Sequence, residues 1–180
     1  NVPTIYDVPL KMLEEKLDLT VLKKLDLAVK EEIDLSAWNN FLIRLKNPTQ
    51  TIEIGLVGKY VELRDAYKSI AEALIHAGAE NSCVVNVNWI HSESIKSNNY
   101  ISKLSNLNGI IVAPGFGHRG MNGKILAAKF AREKNVPYLG ICLGMQVAVI
   151  EFAINVLKLN DANSTEMSPK TPYPVIDLME

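Results

Sequence analysis

The sequence predicts an α/β fold: a mostly parallel sheet with helices on both faces. Three observations predict it. From residue 51 onward, apolar stretches of strand length alternate with stretches of helical spacing. The stretch at 109–113 is apolar throughout, as a strand buried on both faces must be. Two glycine-rich loops, after residues 113 and 141, fall at strand ends, where open α/β sheets bind their ligands.

Residues 1–47 differ in pattern from the rest of the chain. Tyr6-Asp7-Val8-Pro9-Leu10 reads as an extended entry. Leu10, Leu13, Leu17, Leu19, Leu22 and Leu25 then recur at helical spacing among lysines and glutamates. Asp34-Leu35-Ser36 reads as the capped start of a helix running to about Leu45, and Asn47-Pro48-Thr49 punctuates. The sequence divides there: 1–47 is expected to be a helical linker and 48–180 the main domain.

In that domain, 51–59 reads as a strand ended by Gly58, and 66–76 as a helix closed by Gly78. Val85, Val87 and Trp89 alternate within a strand at 82–90. Residues 100–107 read as a short helix or turn, and 109–113 as the buried strand. After the loop 114–120, residues 124–134 read as helix, 136–141 as strand and 145–157 as helix.

Composition narrows the function classes. The 180 residues are 48% hydrophobic and 22% charged, with a net charge of −1. That is ordinary for a soluble domain and offers no basic field for nucleic acid or an anionic membrane. No apolar run reaches the roughly 18 residues a membrane span needs. The two cysteines, Cys83 and Cys142, lie in no CxxC or metal-ligand spacing, and three scattered histidines add no metal site. A free reactive thiol fits a reducing, cytoplasmic setting. The chain begins with Asn1 rather than Met and reads as an excised piece of something longer.

Gly140-Ile141-Cys142-Leu143-Gly144 marks Cys142 as a candidate nucleophile. A cysteine at a sharp strand-to-helix turn has a strained backbone, and side chains on the flanking glycines would clash. The helix after it points its positive end at the sulfur, a setting that favours a thiolate. The N–H of Leu143 is placed to donate to an oxyanion, and so is a backbone amide of the Pro114-Gly115-Phe116-Gly117 loop. Gln146 returns to the side of Cys142 after one helical turn, and Glu166 in a polar loop could hold an ammonium group. Gln146 is equally readable as a surface or core helix residue, and Glu166 taken alone reads as a solvated loop carboxylate rather than a ligand. His76, His91 and His118 offer no convincing base: the first reads as a helix-end residue, the second as a loop residue. His118 has no acidic orienting partner beside it in sequence.

These residues together resemble a known family. Gly-Ile-Cys-Leu-Gly-Met-Gln at 140–146, the loop at 114–120 and Ala-Asn-Ser-Thr-Glu at 162–166 resemble the class I, triad-type glutamine amidotransferase domain of the CTP synthases. Val57-Gly58-Lys59-Tyr60-Val61-Glu62-Leu63 with Asp65-Ala66-Tyr67-Lys68-Ser69 resembles the opening of that domain, and 4–9 the linker before it. The resemblance implies a flavodoxin-like glutaminase in which Cys142 attacks glutamine. Leu143 and Gly115 would supply the oxyanion hole, and Gly115, Gln146 and Glu166 would hold the substrate. Phe116 and Arg119 would lie in a region responding to GTP. The ammonia would serve ATP-dependent amination of UTP to CTP in a separate synthetase domain, with Mg2+, in a homotetramer.

Departures from the family pattern accompany the match. Pro114 stands where the family has a glycine, so Gly115 must be the loop's oxyanion donor. Asn122 stands where many relatives carry an acid, and the family's triad His and Glu find no match up to Glu180. The expectation is therefore that these residues alone turn glutamine over poorly. The alternatives are another triad-type amidotransferase, or a non-catalytic regulatory or assembly module of the same fold.

Overall fold

The computed structural model describes residues 1–29 and 33–178. Four strands build its main sheet: β1 (Gln50–Gly58), β2 (Cys83–His91), β3 (Gly109–Val112) and β4 (Tyr138–Gly140). Their order is β2-β1-β3-β4, and β3 runs parallel to both β1 and β4. Val57 pairs with Val112, and Val112 with Gly140. The three strands therefore end at one level, at the point where the strand order reverses and α/β sheets open a crevice. The parallel α/β sheet read from the sequence is the one formed.

The period of two along β1 and β3 explains the layers. Val57, Ile110 and Val112 point to one face and pack with Ile95, Leu104, Ala127 and Phe130. Leu56, Ile111 and Ala113 point to the other and pack with Val61 and Tyr67. The covering helices are α4 (Lys68–Glu80), α5 (Tyr100–Leu104), α6 (Met121–Lys134) and α7 (Leu143–Asn155). A two-stranded parallel pair, β5 (Asn163–Ser164) with β6 (Pro174–Ile176), comes after α7. Strands this short carry no readable period, so the sequence did not announce them.

The chain separates into two compact units, Asn1–Gln50 with Ile75–Val84, and Thr51–Leu74 with Val85–Glu180. The first contains α1 (Val8–Glu14), α2 (Leu17–Lys24) and α3 (Ser36–Lys46). It is held by an aromatic cluster. Tyr6 lies against Trp38, Phe41 and His76, and the Trp38 indole N–H donates to the Tyr6 carbonyl at 2.9 Å.

Three sequence expectations change. The extended entry is instead a 3-10 turn, Ile5–Asp7, leading straight into α1. The Thr4 hydroxyl accepts the N–H of Tyr6, and Pro9 sits in the first helical turn, where its missing N–H costs no hydrogen bond. Gly78 does not close α4: the helix continues to Glu80. Gly78 and Ala79 are both buried there, and one interior glycine costs a helix only about 1 kcal/mol. His76 is consequently inside the helix rather than at its end, with its Nε2 2.9 Å from the Tyr6 hydroxyl.

Helices α6 and α7 are joined by one buried carboxylate. Glu151 is 2% exposed and takes Arg132 in a two-pronged pair, Nε to Oε2 at 2.9 Å and Nη2 to Oε1 at 2.7 Å. Removing the arginine leaves the carboxylate buried without its counter-charge. Arg132→Met is expected to destabilise the fold by about 3 kcal/mol. A denaturation midpoint that stays put, at unchanged slope, would show that the pair contributes nothing.

Candidate active site

The carboxyl ends of β1, β3 and β4 deliver Lys59, Ala113 and Cys142 respectively to one edge of the sheet. Cys142 has φ 53° and ψ −110°, a backbone state that costs a non-glycine residue about 1–3 kcal/mol. Its neighbours explain why it persists. A Cβ on Gly140 would lie 2.4 Å from the carbonyl carbon of Gly144, and one on Gly144 would lie 2.2 Å from the Val112 oxygen. Neither position admits a side chain. The Tyr138 hydroxyl donates to the Gly144 carbonyl at 2.7 Å, and burial raises its pKa, so it stays a donor. The Cys142 carbonyl accepts from Met145 and Gln146, opening α7 directly behind the thiol.

Cys142 is exposed while Cys83 is buried. Leu143 anchors the turn with its buried side chain, and its N–H is the first of the helix, among the donors an α-helix leaves without an internal acceptor.

The loop after β3 is held from beneath by two buried lysines. Lys124 on α6 is 0% exposed and donates from Nζ to the Ala113 carbonyl at 2.7 Å. Lys59 is 4% exposed and donates to the carbonyls of Phe116 and, at 2.7 Å, Gly117. Gly115 has φ +143°, open to glycine alone; a Cβ there would meet nothing closer than 3.9 Å, so conformation rather than crowding selects the residue. Burial chiefly, and Lys59 next, push Lys124 down to about 8, while Cys142 opposes the shift. Lys59 is also lowered, by burial first and then Arg119, against Glu93 and Glu166. The lysines thus tie Cys142, the loop and Glu166 into one electrostatic neighbourhood.

Gln146 and Glu166 line one cleft of about 560 Å3, with Ser164, Thr165 and Asp177. The Gln146 Oε1 is buried and has no hydrogen-bond partner, while Glu166 is exposed. The strand pair sets this wall: Thr165 N–H donates to Ile176, and its hydroxyl to Asp177 at 2.7 Å, which lowers the Asp177 pKa. Phe116 is 84% exposed. Arg119 lies over the Tyr60 ring, 5.4 Å from its centroid, and pairs with Glu93 at 3.3 Å. Among the described residues, no hydrogen bond or ion pair joins a histidine to Cys142, and no group of three or more His, Cys, Asp and Glu converges as for a metal.

Sequence reasoning about the chemistry passed over Lys59, Lys124, Thr165 and Asp177. Lys59 was visible as the charged residue ending an apolar strand. Lys124 reads as one more polar position on a helix, and only packing reveals its burial.

Comparison with known proteins gives a consistent picture. Residues 62–171 match the family glutamine amidotransferase class-I. The chain is 61% identical over 177 residues to a CTP synthase of Flavobacterium johnsoniae, covering 98% of this chain and 33% of that one. It is 54% identical over 182 residues to the CTP synthase of Methanocaldococcus jannaschii, covering 98% of this chain and 34% of that one. The chain therefore spans about a third of the length of the relatives it matches. Among solved structures it resembles the glutaminase domain of Trypanosoma brucei CTPS with bound acivicin, at TM-score 0.68 and 36% identity, over 72% of this chain and 50% of that one.

The site's geometry is testable at two residues. Strain at Cys142 means that Cys142→Gly should exceed Cys142→Ala in stability by about 1 kcal/mol; equal melting temperatures would show the backbone to be unstrained. Lys124, at about 8 when folded against an ordinary 10.5, keeps its proton longer in the unfolded chain. Its contribution to stability should therefore rise from about pH 8 to pH 10.5. In Lys124→Met that rise should flatten, as read by denaturant midpoints across the window.

Proposed function

The chain belongs to the class-I glutamine amidotransferases, and from that premise we propose that it is the glutaminase portion of a CTP synthase. One observation carries the chemistry: an exposed cysteine on a strained elbow stands one helical turn from a buried, unpartnered amide oxygen in a cleft that also holds a carboxylate. Those groups suit an amino acid bearing a side-chain amide.

In this reading the Cys142 sulfur attacks the side-chain carbonyl carbon of glutamine. The carbonyl oxygen becomes an oxyanion and takes hydrogen bonds from the N–H groups of Leu143 and Gly115. The C–N bond breaks, the nitrogen leaves as ammonia with a proton, and a glutamyl thioester remains. Water then cleaves the thioester, releasing glutamate and the thiol. Gln146 and Glu166 hold the substrate, Glu166 through its α-ammonium. His118 is exposed and makes no hydrogen bond or ion pair to Cys142, so the geometry offers no support for it as the general base. The family resemblance assigns the base to a histidine and glutamate outside the matched positions.

The family resemblance supplies the rest of the proposal. The ammonia aminates UTP in an ATP- and Mg2+-dependent synthetase domain. GTP activates the glutaminase through the loop that carries Phe116 and Arg119, the assembly is a homotetramer, and the setting is the cytoplasm. The high identity to CTP synthases supports this reading over other triad-type amidotransferases.

The test is labelling with a chloroketone analogue of glutamine. It should alkylate Cys142 and spare Cys83, with free glutamine protecting. Glu166→Gln should slow labelling about tenfold or more, the loss of one charge-assisted hydrogen bond. Equal labelling of Cys83, or no protection by glutamine, counts against the proposal.

A further inference from the structure

Two lysines without a carboxylate partner, both essentially buried, are unusual, because an ammonium is costly to desolvate. Among the described residues neither Lys59 nor Lys124 makes a salt bridge; their partners are the backbone carbonyls of one short loop. Ala113, Phe116 and Gly117 are all tied. Ala113 is also fixed from its other side, its N–H donating to Val57 at 2.9 Å. The Lys124 ammonium lies 4.0 Å from where a Cβ on Gly115 would be. A carbonyl held in place fixes the whole peptide plane, including the next residue's N–H. The planes that follow Ala113, Phe116 and Gly117 are therefore set by the lysines, and Gly115, with the freest backbone of any residue type, is suspended between these anchors.

We propose that Lys59 and Lys124 are positioning residues for glutamine hydrolysis: they brace the 113–117 loop so that the Gly115 N–H stays aimed at the oxyanion, and they place buried positive charge beside Cys142. The inference rests on the glutaminase reading above. A neutral donor could hold a carbonyl equally well; a cation adds attraction for the negative charge that grows on sulfur and on the carbonyl oxygen. In a desolvated site that attraction is large and needs no reorganisation at the moment of reaction. The same burial that makes these lysines costly makes them effective. Lys124 Nζ is bonded to the carbonyl at the end of β3, the strand whose Val112 pairs with Gly140 and accepts from Ile141 just before Cys142, so its charge stands at the same end of the sheet as the thiol. The other charges acting on the pair are Arg119, Glu93 and Glu166, all of them on the Lys59 side.

The experiment compares Lys124→Met, Lys124→Arg and Lys59→Met in the polypeptide as the cell makes it. In Lys124→Met, kcat for glutamine should fall about 100-fold, as when an oxyanion donor is lost, while KM moves by less than about threefold. Lys124→Arg, which keeps the charge, should recover at least about tenfold of that loss. Alkylation of Cys142 by iodoacetamide at pH 7, which needs no glutamine recognition, should slow about tenfold in Lys124→Met. If Lys124→Met does not fold, Lys59→Met carries the same test through the other end of the loop. Folded variants with unchanged kcat and unchanged alkylation overturn the proposal, as does a fall confined to KM. If the unsubstituted protein turned over no glutamine, the glutaminase reading would fail, while the alkylation ratio would still decide whether the lysines act on Cys142.

Discussion

Everything at the active edge depends on how closely the start of α7 approaches β3. The Gly144 Cα stands so near the Val112 carbonyl that a methyl group there would lie 2.2 Å from the oxygen. That contact brings the helix against the sheet and compresses the turn from β4 into α7. Cys142 sits in that turn at φ 53°. Strain, exposure and helix alignment thus meet at the thiol beside this close approach. They are stable because Leu143, Val147 and Tyr138 bury their side chains around it. The hydrophobic packing of α7 on α6, with the Arg132–Glu151 pair, holds the helix against a turn that would otherwise relax.

The loop facing that elbow is stabilised in a different way. It has no regular structure and contains three glycines and a proline, so its own conformational preference is weak. Lysine ammoniums from β1 and α6 replace the hydrogen bonds a strand or helix would have supplied. The arrangement satisfies buried carbonyls and buried cations at the same time, which is the condition under which either is tolerated. Elbow and loop lie at the ends of adjacent strands, β4 and β3, so the register of the sheet sets the distance between them.

Much of this was legible in the residues. Valine-rich β2, the apolar run of β3 and the glycine punctuation pointed to the sheet and its helices, because burial demands those patterns. The GxCxG spacing announced the elbow, because only glycine fits beside such a turn. The failures have equally local causes. Pro9 suggested an extended entry but sits where a helix tolerates proline, and Gly78 suggested a helix end but lies buried inside a helix that runs on to Glu80. The β5–β6 pair was invisible because two or three residues have no period. Lys124 was invisible as a site residue because nothing in a helical pattern distinguishes a solvated lysine from one turned inward.

The sequence by itself determined the fold class, the nucleophile candidate Cys142 and the family resemblance, since each rests on residue types at short spacing that sterics and burial require. Only the tertiary structure decided what surrounds the thiol. It brought Lys124 from α6 and Lys59 from β1 beneath the loop after β3, and it put Gln146 and Glu166 on one cleft. Those juxtapositions join residues far apart along the chain. They arise from strand order and register, which depend on how the whole core packs rather than on any segment's own pattern.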